Sequence, residues 1–169
     1  LVLLAPLFAS LWAWLDKRRL DPSKPLKSSF GLVFGALSFV PLALAAQQVG
    51  TTGEMASVWW LVLAYLILEI GEMCLSPVGL SAVTQLAAPR VVSLMMGTWF
   101  LATAFSETLA ALFGKLAAID VPEGEVMNIA EAAGRYEHLF WLLMWIGLGC
   151  AAAALLASPL LKRMMHGVR

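Results

Sequence analysis

Long apolar runs alternate with short polar gaps along the whole chain. The runs cover approximately residues 1–15, 28–46, 57–86, 91–118 and 138–161. Strand-like alternation is absent, and the complete runs reach the roughly 20 residues that a helix needs to cross a bilayer. The pattern therefore predicts an all-α, polytopic membrane protein with five transmembrane helices. The first run is short, so we expect more chain before it.

The composition points to the same class and excludes several functions. The chain is 61% hydrophobic and 13% charged, whereas soluble domains are about 45–50% apolar and about 25% charged. Its net charge is zero, so no overall basic field would recruit nucleic acid. Cys74 and Cys150 lie in apolar runs without ligand spacing, so we interpret them as buried apolar residues and predict no metal site. The sequence contains no nucleophile–His–Asp pattern and no phosphate-binding loop, so it gives no indication of an enzyme.

Basic residues collect in alternate gaps. Nine of the 11 lie after the first, third and fifth runs: Lys17, Arg18, Arg19, Lys24, Lys27, Arg90, Lys162, Arg163 and Arg169. The other gaps hold Glu54, Asp120, Glu123, Glu125, Glu131 and Glu137, with Arg135 as their basic residue. This alternation agrees with five consecutive crossings. By the positive-inside rule, the basic gaps and the C-terminus are predicted to be cytoplasmic.

The third run carries polar residues in the stretch LEIGEMCLSPVGLS, residues 68–81. Glu72 lies about 14 residues after Val58, or about 21 Å along a helix. A charge at this depth costs about 2.5–3.5 kcal/mol and normally faces protein or water. Ser76 follows four residues later on the same helix face. We interpret the pair as the polar side of a central pocket; the alternative is a Glu72 paired with a cation for structure only.

The residues around this pair suggest local flexibility. Pro77 removes a backbone donor and is predicted to kink the third helix. Gly71 and Gly79 flank the pair and would let other backbone or a substrate approach. Glu69 lies one turn from Glu72, and its role is open between lining the pocket and pairing with a cation.

Two aromatic residues and two further charged residues lie inside the fourth run. Trp99 and Phe100 are about 8 residues, or about 12 Å, from its start, too deep for interface anchors. They pack in the core or form the aromatic wall of a cavity. Burying the charge of Glu107 in the membrane has the same energetic cost as burying that of Glu72. Lys115 lies near the outer end of the run, where its side chain can snorkel to the interface.

Small residues recur at one-turn spacing in the second run. Gly31 and Gly35 form a small-xxx-small pair, which lets two helices approach closely. We interpret this pair as a packing face and not as a functional site.

Two long motifs resemble a known family. GEMCLSPVGLSAVTQLAAPR, residues 71–90, followed by SLMMGTWFLATAF, residues 93–105, resembles the second half of the proton-dependent oligopeptide transporters of the major facilitator superfamily. APLFASLW, residues 5–12, resembles that family's eighth core helix. The resemblance implies that residues 1–169 form a partial C-terminal six-helix bundle, which holds core helices 8 to 12 of an incomplete twelve-helix fold.

The resemblance also implies a function. It implies proton-coupled symport of di- and tripeptides by alternating access in the bacterial inner membrane, with the proton as coupling ion and no cofactor. Glu72 would hold the peptide's amino terminus, while Ser76, Trp99 and Phe100 would line the pocket. The implied partners are the lipid bilayer, the peptide and the N-terminal helices of the same protein. The family's ExxER motif and seventh-helix acidic residue are absent here, so the fragment alone is expected to be inactive.

The chain departs from the family pattern at two carboxylates. Family members usually have Gly-Asn where this chain has Ser106-Glu107, and Glu69 is not a family hallmark. These carboxylates would alter proton coupling, favour cationic peptides or pair with basic residues elsewhere. The alternative functions are a related carrier for another solute, such as nitrate or a drug, and a non-transporting membrane scaffold.

Overall fold

The computed structural model describes residues 4–116 and 128–164, and all regular structure in these ranges is helical. The helices are α1 Leu4–Lys17, α2 Lys24–Leu37, α3 Phe39–Thr52, α4 Val58–Leu86, α5 Val92–Leu116 and α6 Ile129–Met164. The predicted all-α class is thus confirmed for the described part of the chain. The residues outside it include three of the predicted outer acidic residues, Asp120, Glu123 and Glu125, and the C-terminal Arg169.

Three helical stretches of the described chain are long and apolar enough to cross a membrane. They are Lys24–Thr52, Val58–Leu86 and Ile129–Lys162. The chain is therefore a polytopic helical membrane protein. That the chain crosses the membrane five times stays a prediction. Helix α1 has only 14 residues, and the serines, threonines and Glu107 of α5 lower its mean hydropathy.

The second predicted run consists of two helices that extend beyond the predicted bounds of 28–46. Helix α2 already begins at Lys24, with Ser23 at its N-cap and Pro25 in its first turn, where proline is favoured. The helix is interrupted at Ser38, three residues before Pro41, which has no N–H to bond the Leu37 carbonyl. Helix α3 ends at Gly53, whose φ of 70° is a left-handed C-cap.

The last helix also begins before its predicted start near residue 138. The side chain of Asn128 caps it by accepting from the backbone N–H groups of Ala130 and Glu131, at 3.1 and 3.4 Å. Arg135 donates to Glu131 at 2.9 Å along the first turns. These predicted loop residues therefore lie on α6, because capping and ion pairing extend the helix past its apolar part.

The bundle is built around α2 and α3, which pack against α4 and α6. Where Gly31 of α2 meets α4, an added Cβ would lie 2.8 Å from the Gly71 carbonyl oxygen. A Cβ added to Gly71 would lie 2.8 Å from the Gly31 carbonyl oxygen and 3.0 Å from the Gly35 nitrogen. The small-residue face of the second run is therefore a packing surface, and Gly71 is its partner on α4.

Candidate functional site

Helix α4 presents the central polar pair of the site. Ser57 caps its start by accepting from the Trp59 N–H at 3.4 Å, and the helix then runs unbroken through Pro77 to Leu86. Ser76 Oγ donates a hydrogen bond to Glu72 Oε1, and both residues are half-buried. The structure thus brings together the carboxylate and hydroxyl that the one-turn spacing predicts.

The same face of α4 continues toward the basic end of the bundle. Gly79 lies three residues after Ser76, so both occupy one side of the helix. The ring of Trp99 from α5 lies directly on Gly79: a Cβ added there would be 2.8 Å from Cζ3 and 3.0 Å from Cζ2. An added Cβ would therefore force the indole ring to shift at this contact, which joins α5 to α4 one turn from Ser76.

Beyond Trp99, α4 and α5 line an open apolar groove of about 570 Å³. Its lining residues are Gly79, Ala82, Val83, Leu86, Ala87, Met95, Thr98, Trp99 and Ala102. This volume lies within the range of about 300–1,000 Å³ that is typical of small-molecule sites. Trp99, which the sequence assigns to either core packing or a cavity wall, serves in both ways: it covers Gly79 and lines the groove.

Other predicted site residues lie elsewhere in the described structure. Phe100 is 61% exposed and does not line the α4–α5 groove. Glu107 is exposed farther along α5, and Lys115 is exposed near the end of that helix. Glu69 is half-buried, one turn before Glu72, with almost no exposed surface on Oε2.

Two lysines that the sequence pattern assigns to a loop are buried in the bundle. Lys27 Nζ lies 2.7 Å from Asp21 Oδ1 and 4.3 Å from the centre of the Trp12 ring. Lys24 Nζ donates to Gln85 Oε1 on α4. The Ser23-Lys24-Pro25 sequence is a helix-start signal that would have placed both residues on α2.

The contact between Trp99 and Gly79 gives a testable prediction. Gly79→Ala should lower the free energy of unfolding by about 1–3 kcal/mol, because the added methyl overlaps the indole ring. The measurement is thermal unfolding of the purified full-length protein in detergent.

A double variant separates this contact from a general effect of alanine on the helix. Once Trp99→Ala has removed the ring, adding Gly79→Ala should cause little further loss. Gly97→Ala on α5 is the matched control, since nothing lies within 4 Å of its added Cβ. Equal losses from Gly79→Ala with and without Trp99 would contradict the contact.

Comparison with known proteins gives matches over nearly the whole chain. The family model described as PTR2, POT family, matches residues 1–125. An uncharacterized transporter of Bacillus subtilis, YclF, is 36% identical over 99% of this chain. The dipeptide and tripeptide permease A of Edwardsiella piscicida is 36% identical over 96% of the chain.

A solved structure of similar fold agrees with these matches. The crystal structure of a peptide transporter POT in complex with sulfate superposes with a TM-score of 0.78 and 31% identity, and it covers 98% of this chain. The chain covers 30% of that structure and 30% and 32% of the Bacillus and Edwardsiella proteins, respectively. It therefore spans about a third of the length of these relatives.

Proposed function

Because the chain belongs to the POT family, we propose that it is part of a proton-coupled symporter of di- and tripeptides that works by alternating access. The observation that carries the proposal is the Glu72–Ser76 pair in the middle of a membrane-spanning helix. Similarity to a dipeptide and tripeptide permease over 96% of the chain supports the substrate class.

The polar pair is suited to the charged end of a peptide. The Glu72 carboxylate binds the peptide's ammonium group, since charge-assisted hydrogen bonds are stronger than neutral ones. The Ser76 hydroxyl holds one carboxylate oxygen and so orients the other toward the ligand. Both residues are half-buried, so water screens this attraction less than it would at the surface.

The aromatic part of the site is suited to peptide side chains. Trp99 covers Gly79, one turn from Ser76, and lines the apolar α4–α5 groove, so it provides a flat apolar surface near the polar pair. Phe100 faces outward in the described chain, where the N-terminal helices of the same protein would complete the pocket. Glu69 and Glu107 either take part in proton coupling or pair with cations on those helices.

In this proposal, the part of α4 after Pro77 moves together with α5 during alternating access. Pro77 lacks the N–H that would bond the Met73 carbonyl, which makes this turn of α4 the easiest to bend. Before Pro77, α4 packs closely against α2 at Gly71. After Pro77, α4 contacts the Trp99 ring of α5 at Gly79. Bending at Pro77 therefore moves the α5 contact and the groove relative to the polar pair.

The expected location is the bacterial cytoplasmic membrane. The relatives named above are bacterial, and the described helices include three apolar spans. The basic gaps and the C-terminus face the cytoplasm in this proposal, as the distribution of Lys and Arg predicts.

The function is tested with the full-length protein in liposomes. An inward proton gradient should drive accumulation of a labelled dipeptide, and a protonophore should abolish it. Unlabelled di- and tripeptides should compete. The proposal would be contradicted if dipeptide uptake were the same with and without the proton gradient. Nitrate uptake that peptides do not inhibit would contradict it as well. Liposomes without protein are the control for leakage.

A further inference from the structure

Lys24 is a buried cation whose hydrogen-bond partner is neutral. Its exposed fraction is 9%, and it donates to the side-chain amide oxygen of Gln85. Its neighbour Lys27 is equally buried but is neutralised by Asp21 at 2.7 Å. Lys24 has no such carboxylate within salt-bridge distance among the described residues. Because burying a charge without a counter-charge is unfavourable, this position favours an anionic ligand.

Lys24 lies at one end of an apolar groove, here called the α4–α6 groove. Its volume is about 390 Å³, and its lining residues are Lys24, Pro25, Ser28, Ala82, Leu86, Ala154 and Leu161. The walls come from the C-terminal parts of α4 and α6, and the start of α2 provides the polar end. The groove is therefore amphipathic, because α2 contributes the cation of Lys24 and the hydroxyl of Ser28 to an otherwise apolar lining.

The polar end of the groove lies at the expected depth of lipid headgroups. Lys24 is the first residue of a membrane span that extends to Thr52. Other basic residues lie at helix ends that the charge pattern predicts to be on the same side of the membrane: Lys17, Arg18, Arg19, Arg90 and Lys162. Such a basic cluster attracts the anionic lipids of the cytoplasmic leaflet.

We propose that the α4–α6 groove binds an anionic phospholipid, with its phosphate on Lys24 and an acyl chain along the walls formed by Ala82 and Ala154. A soluble phosphate would satisfy Lys24 but would leave the apolar walls in contact with water. An uncharged lipid would cover the walls but would leave the cation without a counter-charge. An anionic lipid satisfies both ends of the groove.

The proposed lipid site is connected to the end of α4. Gln85 accepts from Lys24 and donates through Nε2 to Ser81 Oγ at 3.1 Å, so Lys24 ties the start of α2 to the last turns of α4. A lipid phosphate would bind the same ammonium group, which has three N–H donors and uses one of them for Gln85. An occupied site therefore brings the lipid into contact with the group that joins α2 to α4.

The test uses native mass spectrometry of the full-length protein with added phosphatidylglycerol or phosphatidylcholine. Phosphatidylglycerol should bind in preference, and Lys24→Ala should reduce its retention about fivefold, the effect expected for one basic residue near a lipid surface. Lys24→Arg should restore binding. Lys17→Ala is the matched control, because it removes the same charge from an exposed residue outside the groove.

Two further variants separate the lipid from the helix contact. Gln85→Ala breaks the bond to Lys24 but keeps the charge, so phosphatidylglycerol binding should be unchanged or stronger. Ala154→Phe fills the apolar channel and should reduce binding of both lipids. Equal loss in Lys24→Ala and Lys17→Ala would overturn the site in favour of a diffuse basic surface. Unchanged binding in Ala154→Phe, or lost binding in Gln85→Ala, would overturn it as well.

Discussion

Replacing Glu72 by Gln in the full-length protein is expected to lower proton-driven dipeptide uptake about 10- to 100-fold. A hydrogen bond to a charged group contributes roughly 1.5–3 kcal/mol, which corresponds to this range. The substitution keeps the size of the side chain and the oxygen that accepts from Ser76. It removes only the negative charge that we propose binds the peptide's ammonium group, so the bundle should remain folded.

A second readout distinguishes lost recognition from a general defect in transport. The wild-type protein should prefer a dipeptide with a free amino terminus over its N-acetylated form, and Glu72→Gln should remove most of that preference. Ser76→Ala should have a smaller effect, because it removes the group that orients the carboxylate but keeps the charge. Glu54→Gln makes the same chemical change at an exposed residue outside the helices and should leave uptake unchanged. An unaltered preference in Glu72→Gln would refute the assigned role.

The third apolar run predicts its helix well because its ends carry local signals. The expected bounds of 57–86 agree with the observed Val58–Leu86, since Ser57 caps the start and Pro89, which cannot continue a helix, follows shortly after Leu86. The bounds of the helices in the second run are predicted less well, because hydropathy does not show where proline starts or interrupts a helix. Pro41 divides an apolar stretch into two helices, and Pro25 starts the first of them among charged residues.

In the candidate site, the sequence predicts contacts within one helix better than contacts between helices. The Glu72–Ser76 bond follows from one turn of one helix, so the spacing of the sequence predicts it. The contact of Trp99 with Gly79 joins two helices, and the relative rotation of those helices is not contained in either sequence segment. For the same reason the positions of Lys24 and Lys27 suggest exposed loop charges, although packing against α1 and α4 buries both side chains.

The contact between Gly31 and Gly71 should tolerate an added methyl group poorly, because backbone approaches backbone there. Gly31→Ala and Gly71→Ala should each lower the free energy of unfolding by roughly 1–3 kcal/mol, the range for overpacking a core. The reason is that each new Cβ would lie 2.8 Å from a backbone carbonyl oxygen of the opposite helix. Backbone cannot rotate away as a side chain can, so α2 and α4 would have to separate.

Gly35→Ala provides the matched control within the same helix and the same small-residue pair. Nothing lies within 4 Å of its added Cβ, and alanine is favoured over glycine in a helix by about 1 kcal/mol. In detergent, thermal unfolding of the full-length protein should therefore show a lower midpoint for Gly31→Ala and Gly71→Ala but an unchanged or higher midpoint for Gly35→Ala. If all three substitutions shifted the midpoint equally, backbone flexibility and not helix approach would explain these glycines. The double variant Gly31→Ala with Gly71→Ala should be less harmful than the sum of the single ones, because the first methyl already forces the helices apart.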